Sequence, residues 1–301
     1  MDFKQLESFV AVVNANSFSK AAEKMFLTQP TITNHIQALE EELGTVLINR
    51  SNKKIILTDA GDILYSYAID IINLRDTAQI NLRENKDKIE GILEISSSSI
   101  PGQYIMPYIV KGFIDKYANV KFKINHKNSE KVIEEIKNGF VNYGVVGGKY
   151  NDYEFLEYID FFEDNLIVIT PNTKKYKTNI YEALDKNFLL QEKIILREKG
   201  SSTRLLFEKE LQRNHIPFNK LNIISSTEDN ETIKKLVELG LGISVISELA
   251  VKKEIELGLI RPYHIKDMNL RRKFYYVYHK NRYFSPLDHA FRNFVVNSLN
   301  E

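Results

Sequence analysis

The stretch from Ser17 to Gly61 reads SFSKAAEKMFLTQPTITNHIQALEEELGTVLINRSNKKIILTDAG and decides the fold of the N-terminal region. Apolar residues recur at spacings of three and four in two groups: Leu6, Phe9 and Val13, then Ala21, Ala22 and Met25. This spacing is that of one face of a helix. The sequence therefore predicts two amphipathic helices before Thr28.

A third helix is predicted to begin after Thr28. Thr28 is a suitable N-cap, and Pro30 falls in the first helical turn, where its missing N–H costs nothing. Gly44 is a typical residue for ending the helix. The apolar positions expected to form its buried face are Ile32, Ile36, Leu39 and Leu43.

The other side of this third helix carries short polar side chains close to its N-terminus, as a helix that reads base edges does. A hairpin is predicted to follow it, with cations in the turn between 47–48 and 55–57. These features predict a winged helix-turn-helix; the alternative is an ordinary three-helix packing motif. The candidate DNA-binding residues are Thr28, Gln29, Pro30, Thr31, Thr33, Asn34 and Gln37 on the helix, and Arg50, Lys53 and Lys54 on the wing.

Ser17 to Gly61 resembles the DNA-binding domain of the LysR family of bacterial transcriptional regulators. The matching elements are Phe18-Ser19-Lys20-Ala21-Ala22, Thr28-Gln29-Pro30-Thr31-Ile32-Thr33, Ile36, Leu39-Glu40, Leu43-Gly44, Leu47, Arg50 and Leu57-Thr58-Asp59-Ala60-Gly61. Met25, Ile48 and the pair Asn34-His35 depart from the family pattern. The first two should preserve the fold, whereas Asn34-His35 is expected to alter which operator is read.

Charge and composition restrict the function classes. The chain has 41 Lys plus Arg against 40 Asp plus Glu, so its net charge does not suggest a nonspecific polyanion binder. It has no cysteine, and its six histidines show no metal-ligand spacing, so neither a metal site nor a cofactor is predicted. No apolar run is long enough to span a membrane, and the charged N-terminus does not read as a signal peptide, so a cytoplasmic location is expected.

After the wing, apolar residues alternate steps of four and three: Ala60, Leu64, Tyr67, Ile71, Leu74 and Ala78. This is a heptad seam, and it favours a dimer in which linker helices pair through Leu64, Tyr67, Ile71 and Leu74. The alternative is a helix packed only on its own domain. The charged run 83–88 is expected to be a solvated hinge. The predicted domains are 1–58, DNA-binding; 59–90, linker and dimerisation; and 91–301, effector-binding.

The remaining two-thirds of the chain alternates strand-like and helix-like segments, which predicts an α/β domain. The predicted strands are 91–96, 120–125, 143–146, 166–170, 223–224, 243–246 and 273–279, and the predicted helices are 104–116, 131–138, 205–215, 232–239 and 286–299. The pattern resembles the two-lobe LysR effector domain, which is similar to periplasmic solute-binding proteins. The first lobe is expected at about 91–161 and 267–301, and the second at about 162–266.

A small molecule is expected in the crevice at the carboxyl ends of the strands, near helix N-termini. The two segments that qualify are a serine-rich turn after the first strand and a Gly/Ser/Thr turn in the second lobe. Simple helix capping or turn formation is the alternative for both, and Lys199 and Arg204 have possible ion-pair partners in Glu198 and Glu208. The candidate effector-binding residues are Ser97, Ser98, Ser99, Gly147, Lys199, Ser201, Ser202, Thr203 and Glu228.

The segments 98–104 and 198–204 resemble the LysR branch tied to sulfur or selenium assimilation, which suggests a small oxyanion or carboxylate as effector. The chain is therefore expected to bind double-stranded promoter DNA as a homodimer or homotetramer, with RNA polymerase as a further partner. One alternative is a solute-binding sensor without DNA binding. An α/β enzyme is not favoured, because neither a phosphate-binding loop nor a nucleophile elbow is present.

Overall fold

The computed structural model describes residues 1–49, 55–83, 89–150, 153–176, 181–280, 282 and 284–297. The chain divides into two compact units: residues 1–88 with 281–286, and residues 89–280 with 287–301. No helix in the described ranges is long and apolar enough to cross a membrane.

The first unit contains four helices and a two-stranded antiparallel wing. The helices are α1 (Phe3–Ala15), α2 (Phe18–Lys24), α3 (Gln29–Leu43) and α4 (Asp59–Arg83), and the strands are β1 (Ile48–Asn49) and β2 (Ile56–Leu57). In the wing, Ile48 lies opposite Leu57. The predicted winged helix-turn-helix is confirmed.

Local sequence signals explain where α3 begins and ends. The Thr28 hydroxyl accepts a hydrogen bond from the Thr31 N–H at 3.3 Å, and Gly44 adopts the left-handed conformation with φ +65°. Ile32, Ile36 and Leu39 are fully buried. The prediction for Leu43 was wrong, because this last helical residue extends past the core and is 40% exposed.

The second unit is built from a mixed sheet covered by helices. Its strands are β3 (Gly91–Ser98), β4 (Val120–Lys127), β5 (Tyr143–Val146), β6 (Leu156–Pro171), β7 (Ala183–Leu184), β8 (Lys193–Arg197), β9 (Asn222–Thr227), β10 (Ile243–Ser247), β11 (Ile260–Ile265) and β12 (Arg271–His279). Its helices are α5 (Ser99–Tyr104), α6 (Met106–Lys116), α7 (Ser129–Lys137), α8 (Phe188–Gln191), α9 (Ser202–Arg213), α10 (Asn230–Glu238), α11 (Lys252–Glu256) and α12 (Pro286–Asn297).

Two lobes share this sheet, whose strand order is β4-β3-β5-β12-β6-β10-β8-β9, with β11 also paired to β6. The first lobe contains β3–β5 and α5–α7, and the second contains β8–β11 and α9–α11. The 16-residue strand β6 belongs to both. Its first part pairs with β12 from Leu156 to Asn165, and its last part pairs with β10 and β11.

Several predicted boundaries differ from the structure. The strand predicted at 166–170 begins at Leu156, and the first strand continues through Ser98. The residues before the helix predicted at 104–116 form α5, and β8 was not predicted. Strands buried on both faces have no period-two pattern, which is why sequence periodicity underestimates them.

Candidate DNA-binding surface and interlobe recess

Helix α3 presents the predicted polar side chains at its N-terminal half. Gln29, Pro30, Asn34 and Gln37 are exposed, whereas Thr31 and Thr33 are half-buried. The Ser19 hydroxyl donates to the Gln29 side-chain oxygen at 3.1 Å, and the Thr33 hydroxyl donates to the Gln29 backbone carbonyl at 3.0 Å. Helix α2 thereby helps to orient the first turn of α3.

The inner side of α3 is anchored by two polar contacts that the sequence did not reveal. His35 Nδ1 lies 2.7 Å from the hydroxyl of Ser8, which is completely buried on α1. Glu40 accepts hydrogen bonds from the backbone N–H groups of Leu47 at 2.8 Å and Ile48 at 3.2 Å. His35 therefore holds α3 in place, and Asn34 is the member of the pair that faces solvent. The predicted wing cations Arg50, Lys53 and Lys54 lie outside the described residues.

The second unit contains a small polar recess between its lobes, here called the interlobe recess. The first residues of α5, α7 and α9 meet around it. Its lining residues are Ser98, Ser99, Ile100, Pro101, Asn128, Ser129, Gly147, Arg197, Ser201, Ser202, Thr203 and Arg272. Six of these were predicted: Ser98, Ser99, Gly147, Ser201, Ser202 and Thr203.

Arg272 on β12 is one of the two buried cations of the recess. Its Nε donates to the Asp164 carboxylate at 2.8 Å, and its Nη1 donates to the hydroxyls of Ser202 at 3.2 Å and Thr203 at 2.9 Å. Asp164 also accepts a hydrogen bond from the Ser247 hydroxyl at 2.7 Å. Burial lowers the pKa of Arg272, Asp164 opposes that shift, and the charge of Arg197 adds to it.

Arg197, the last residue of β8, joins the lobes from the other side. Its guanidinium donates to Asn230 at 2.7 Å and to the Ser99 hydroxyl at 3.3 Å, and it forms an ion pair with Glu198 at 2.9 Å. Asn230 and Arg197 are both buried. Two guanidiniums therefore line one recess, each balanced by a single carboxylate.

The backbones of the two lobes approach closely at the recess. Within the first lobe, the Gly147 N–H donates to the Ser98 hydroxyl at 3.0 Å. Towards the second lobe, a Cβ on Gly147 would lie only 2.7 Å from Ser202 Oγ. Gly200, with φ +88°, accepts a hydrogen bond from the Glu130 N–H at 3.2 Å through its carbonyl. Glycine is required at both positions, once for space and once for the backbone conformation.

Three predicted effector residues do not line the recess. Ser97 is buried within β3, because that strand extends past it. Lys199 is exposed, and it contributes only its carbonyl, which accepts a hydrogen bond from Asn128 at 3.4 Å. Glu228 is exposed, and α10 is capped by the following residue, Asp229.

Capping does not explain the serines that do line the recess. Ser98 and Ser201 hold the N-cap positions of α5 and α9, yet neither side chain makes a capping hydrogen bond. The ion-pair alternative holds for Arg204, which lies 2.7 Å from Glu208. Glu198, in contrast, pairs with Arg197 and not with Lys199 as considered. The sequence analysis assigned no binding role to Arg197, although it directly precedes the predicted Gly/Ser/Thr turn, and it missed Arg272 because no local motif surrounds that residue.

The predicted dimerisation residues divide into two pairs on α4. Leu64 and Ile71 are half-buried against the core of their own unit. Tyr67 and Leu74 remain 62% and 44% exposed. One side of α4 therefore packs on its own domain, as the alternative interpretation expects. Tyr67 and Leu74 lie on another side of the helix.

The fold and these two surfaces define a regulator that joins a DNA-binding unit to a ligand-binding unit. Residues 3–62 match the bacterial regulatory helix-turn-helix protein model of the lysR family, and residues 86–300 match the LysR substrate binding domain. The chain belongs to the LysR family of bacterial transcriptional regulators and is not an enzyme.

Curated relatives extend over nearly the whole chain. A probable RuBisCO transcriptional regulator of Cyanophora paradoxa is 30% identical over 295 residues, covering 97% of this chain and 90% of the relative. The HTH-type transcriptional regulator CysL of Bacillus subtilis is 32% identical over 278 residues, covering 92% and 91%.

Solved structures share the fold at lower identity. A full-length OxyR variant from Pseudomonas aeruginosa superposes with a TM-score of 0.74 at 17% identity, covering 99% of this chain and 97% of that one. Full-length CbnR complexed with its target DNA has a TM-score of 0.62 at 20% identity, covering 99% of both chains. The effector binding domain of QuiR in complex with shikimate has a TM-score of 0.62 at 19% identity, covering 70% and 98%.

Proposed function

We propose that the interlobe recess binds a small anionic effector, and that its occupancy changes how α3 engages promoter DNA. The observation that carries the effector proposal is the convergence of Arg197, Arg272 and several hydroxyls on one recess. The Ser129 hydroxyl adds to it, because it is buried and has no hydrogen-bond partner among the described residues. Such a concentration of donors suits a carboxylate or a tetrahedral oxyanion.

Helix geometry supports the same ligand chemistry. The N-terminal ends of α7 and α9 line the recess, and helix N-termini present N–H groups and positive potential to an anion. Since Glu198 and Asp164 already balance the two guanidiniums, selection would come from hydrogen-bond geometry more than from net charge. QuiR binds shikimate, a small carboxylate, in a domain of this fold. Compact sulfur or selenium oxyanions are the narrower ligand class that we favour.

A ligand-screened thermal shift on the full chain tests this proposal. The compounds are sulfate, sulfite, thiosulfate, selenite, O-acetylserine and common carboxylates. A ligand at 100 times its Kd should add about 2.7 kcal/mol of stability. Ser98→Ala and Thr203→Ala should lose the shift, whereas Ser225→Ala, outside the recess, should retain it. A shift that survives both recess substitutions would contradict the assignment, as would no shift with any anion.

For DNA, we propose that Gln29, Pro30, Thr31, Thr33 and Asn34 face the major groove, with Thr28 and Gln37 at its margins. The side chains that α3 exposes are amides and hydroxyls, which pair with base edges. CbnR, which shares the fold, has been solved with its target DNA. Arg50, Lys53 and Lys54 would contact the adjoining backbone or minor groove.

Replacement of Asn34 tests the recognition surface. Asn34→Ala should reduce discrimination between an operator obtained by in vitro selection and a scrambled duplex by about 1–3 kcal/mol, the usual value of a good base contact. Fluorescence anisotropy at fixed salt measures both affinities. Glu41→Ala, at the far end of α3, should leave discrimination unchanged. Selectivity that survives Asn34→Ala and Thr33→Ala would show that this face does not read the operator.

We infer that the working form is a homodimer or a dimer of dimers that presents two recognition helices to two half-sites. Effector binding would shift lobe closure and the angle of the linker helices, which changes DNA spacing or bending. We propose RNA polymerase as the further protein partner that such a regulator would affect. We also propose a cytoplasmic location, because the regulator has to reach promoter DNA.

A further inference from the structure

Phe26 is the most exposed large apolar side chain among the described residues, with 96% of its surface open to solvent. It lies in the turn that joins α2 to α3. A phenylalanine ring left in water contributes nothing to the core of its own unit. Its presence in this turn therefore needs another explanation.

The backbone at Phe26 is also unfavourable for this residue type. Its φ is +56°, in the left-handed region that bulky side chains rarely adopt. The Phe26 N–H donates to the Glu23 carbonyl at 3.2 Å, and the Leu27 N–H donates to the Ala22 carbonyl at 2.9 Å. This pattern closes the end of a helix, at a position where glycine or asparagine is usual. Phenylalanine is thus costly here in both solvation and conformation.

The position of Phe26 indicates which surface the ring meets. Phe26 comes two residues before Thr28, the N-cap of α3, and so stands at the helix end that carries Gln29 and Pro30. The exposed Lys24 lies just before the same turn. The turn that carries the exposed ring therefore leads directly into the first turn of α3, which we propose faces the groove.

We propose that the Phe26 ring packs against a deoxyribose of the DNA backbone flanking the major groove. A deoxyribose face is apolar and has the same shape at every nucleotide. The contact therefore adds affinity for all sequences and neutralises no phosphate. This inference rests on the proposed recognition by α3.

The test compares Phe26→Asn with the unmodified chain on the selected operator and on a scrambled duplex. Asparagine tolerates the left-handed backbone, so the free protein should melt at a higher temperature. Affinity for both duplexes should fall about tenfold, the effect of losing a contact worth part of a buried phenylalanine. The slope of log affinity against log salt should stay unchanged, because no cation is lost.

Two variants control the interpretation. Phe26→Tyr retains the ring and should bind as the unmodified chain does. Lys24→Ala serves as the charge control, and loss of a phosphate contact should reduce the salt slope by about one.

Unchanged affinity in Phe26→Asn would overturn the inference, as would a loss accompanied by a lower melting temperature, which would place the ring in the fold. If Phe26→Asn binds normally while Asn34→Ala loses selectivity, only the Phe26 inference fails. If the unmodified chain prefers no duplex in the selection, the proposed DNA recognition itself fails.

Discussion

Tyr143 and Tyr276 stack in the core of the first lobe with ring centroids 5.4 Å apart, yet their hydroxyls differ. The Tyr143 hydroxyl donates to Asp288 at 2.9 Å. The Tyr276 hydroxyl is buried and has no hydrogen-bond partner in the described part of the chain. Burying a polar group without a hydrogen-bond partner lowers the free energy of unfolding. Removing one partner of a buried hydrogen bond also lowers it.

Replacing tyrosine by phenylalanine is therefore expected to change the free energy of unfolding in opposite directions at these two residues. Tyr276→Phe should raise the free energy of unfolding at pH 7 by about 1 kcal/mol, and Tyr143→Phe should lower it by about 1 kcal/mol. Urea denaturation measures both values. A loss of stability in Tyr276→Phe would mean that its hydroxyl has a bound partner.

The pH dependence of Tyr276 gives a second readout. Burial raises the pKa of Tyr276 well above 10, and the nearby Asp288 carboxylate adds to the shift. Because the pKa of Tyr276 is higher in the folded protein than in the unfolded chain, the unfolded tyrosine loses its proton first as the pH rises. The stability that depends on the neutral Tyr276 hydroxyl is therefore fully present below pH 10 and is lost as the pH rises further. Tyr276→Phe should therefore lose less stability than the unmodified chain when the pH rises above 10.

Helix α4 shows at the element scale how one sequence pattern serves two surfaces. Tyr65, Ala68 and Ile69 are buried against the rest of the first unit. Ile63 and Tyr67 are 61% and 62% exposed. The exposed seam residues Tyr67 and Leu74 lie nearly half a turn from the centre of this buried face. This second apolar side of α4 is the surface that we propose for dimerisation.

Tyr67→Asp should weaken self-association of the full chain at least tenfold, because it places a charge in the apolar seam. Sedimentation equilibrium measures the change. Ser66→Asp is the matched control: it adds the same charge to the adjacent exposed residue, off the seam, and should leave association unchanged. An intact dimer in Tyr67→Asp would assign dimerisation to another surface.

At the scale of the whole molecule, long strands assemble the effector site. Arg272 lies opposite Asp164 in the pairing of β12 with β6, and β6 continues into the second lobe. The guanidinium reaches Ser202 and Thr203 in the second lobe while it approaches Gly147 in the first. A ligand that alters these contacts would therefore be sensed by both lobes at once.

The accuracy of the sequence predictions followed the range of the interactions involved. Thr28, Gly44 and the buried residues of α3 were predicted because capping and helical burial depend on residues three or four positions apart. Leu43 was misplaced because its exposure depends on where the core ends. Lys199 does not line the recess, because Gly200 turns the loop onto the first lobe and the Lys199 carbonyl makes the contact there.

The sequence by itself determined the winged helix-turn-helix, the linker helix and the LysR family. All three depend on apolar, capping and motif residues that lie at short, regular spacings along the chain. Only the tertiary structure decided that Arg197 and Arg272 line the recess and that His35 anchors α3 to Ser8. These contacts join residues far apart in the chain. Their partners are chosen by strand pairing and lobe packing, and no local pattern encodes that choice.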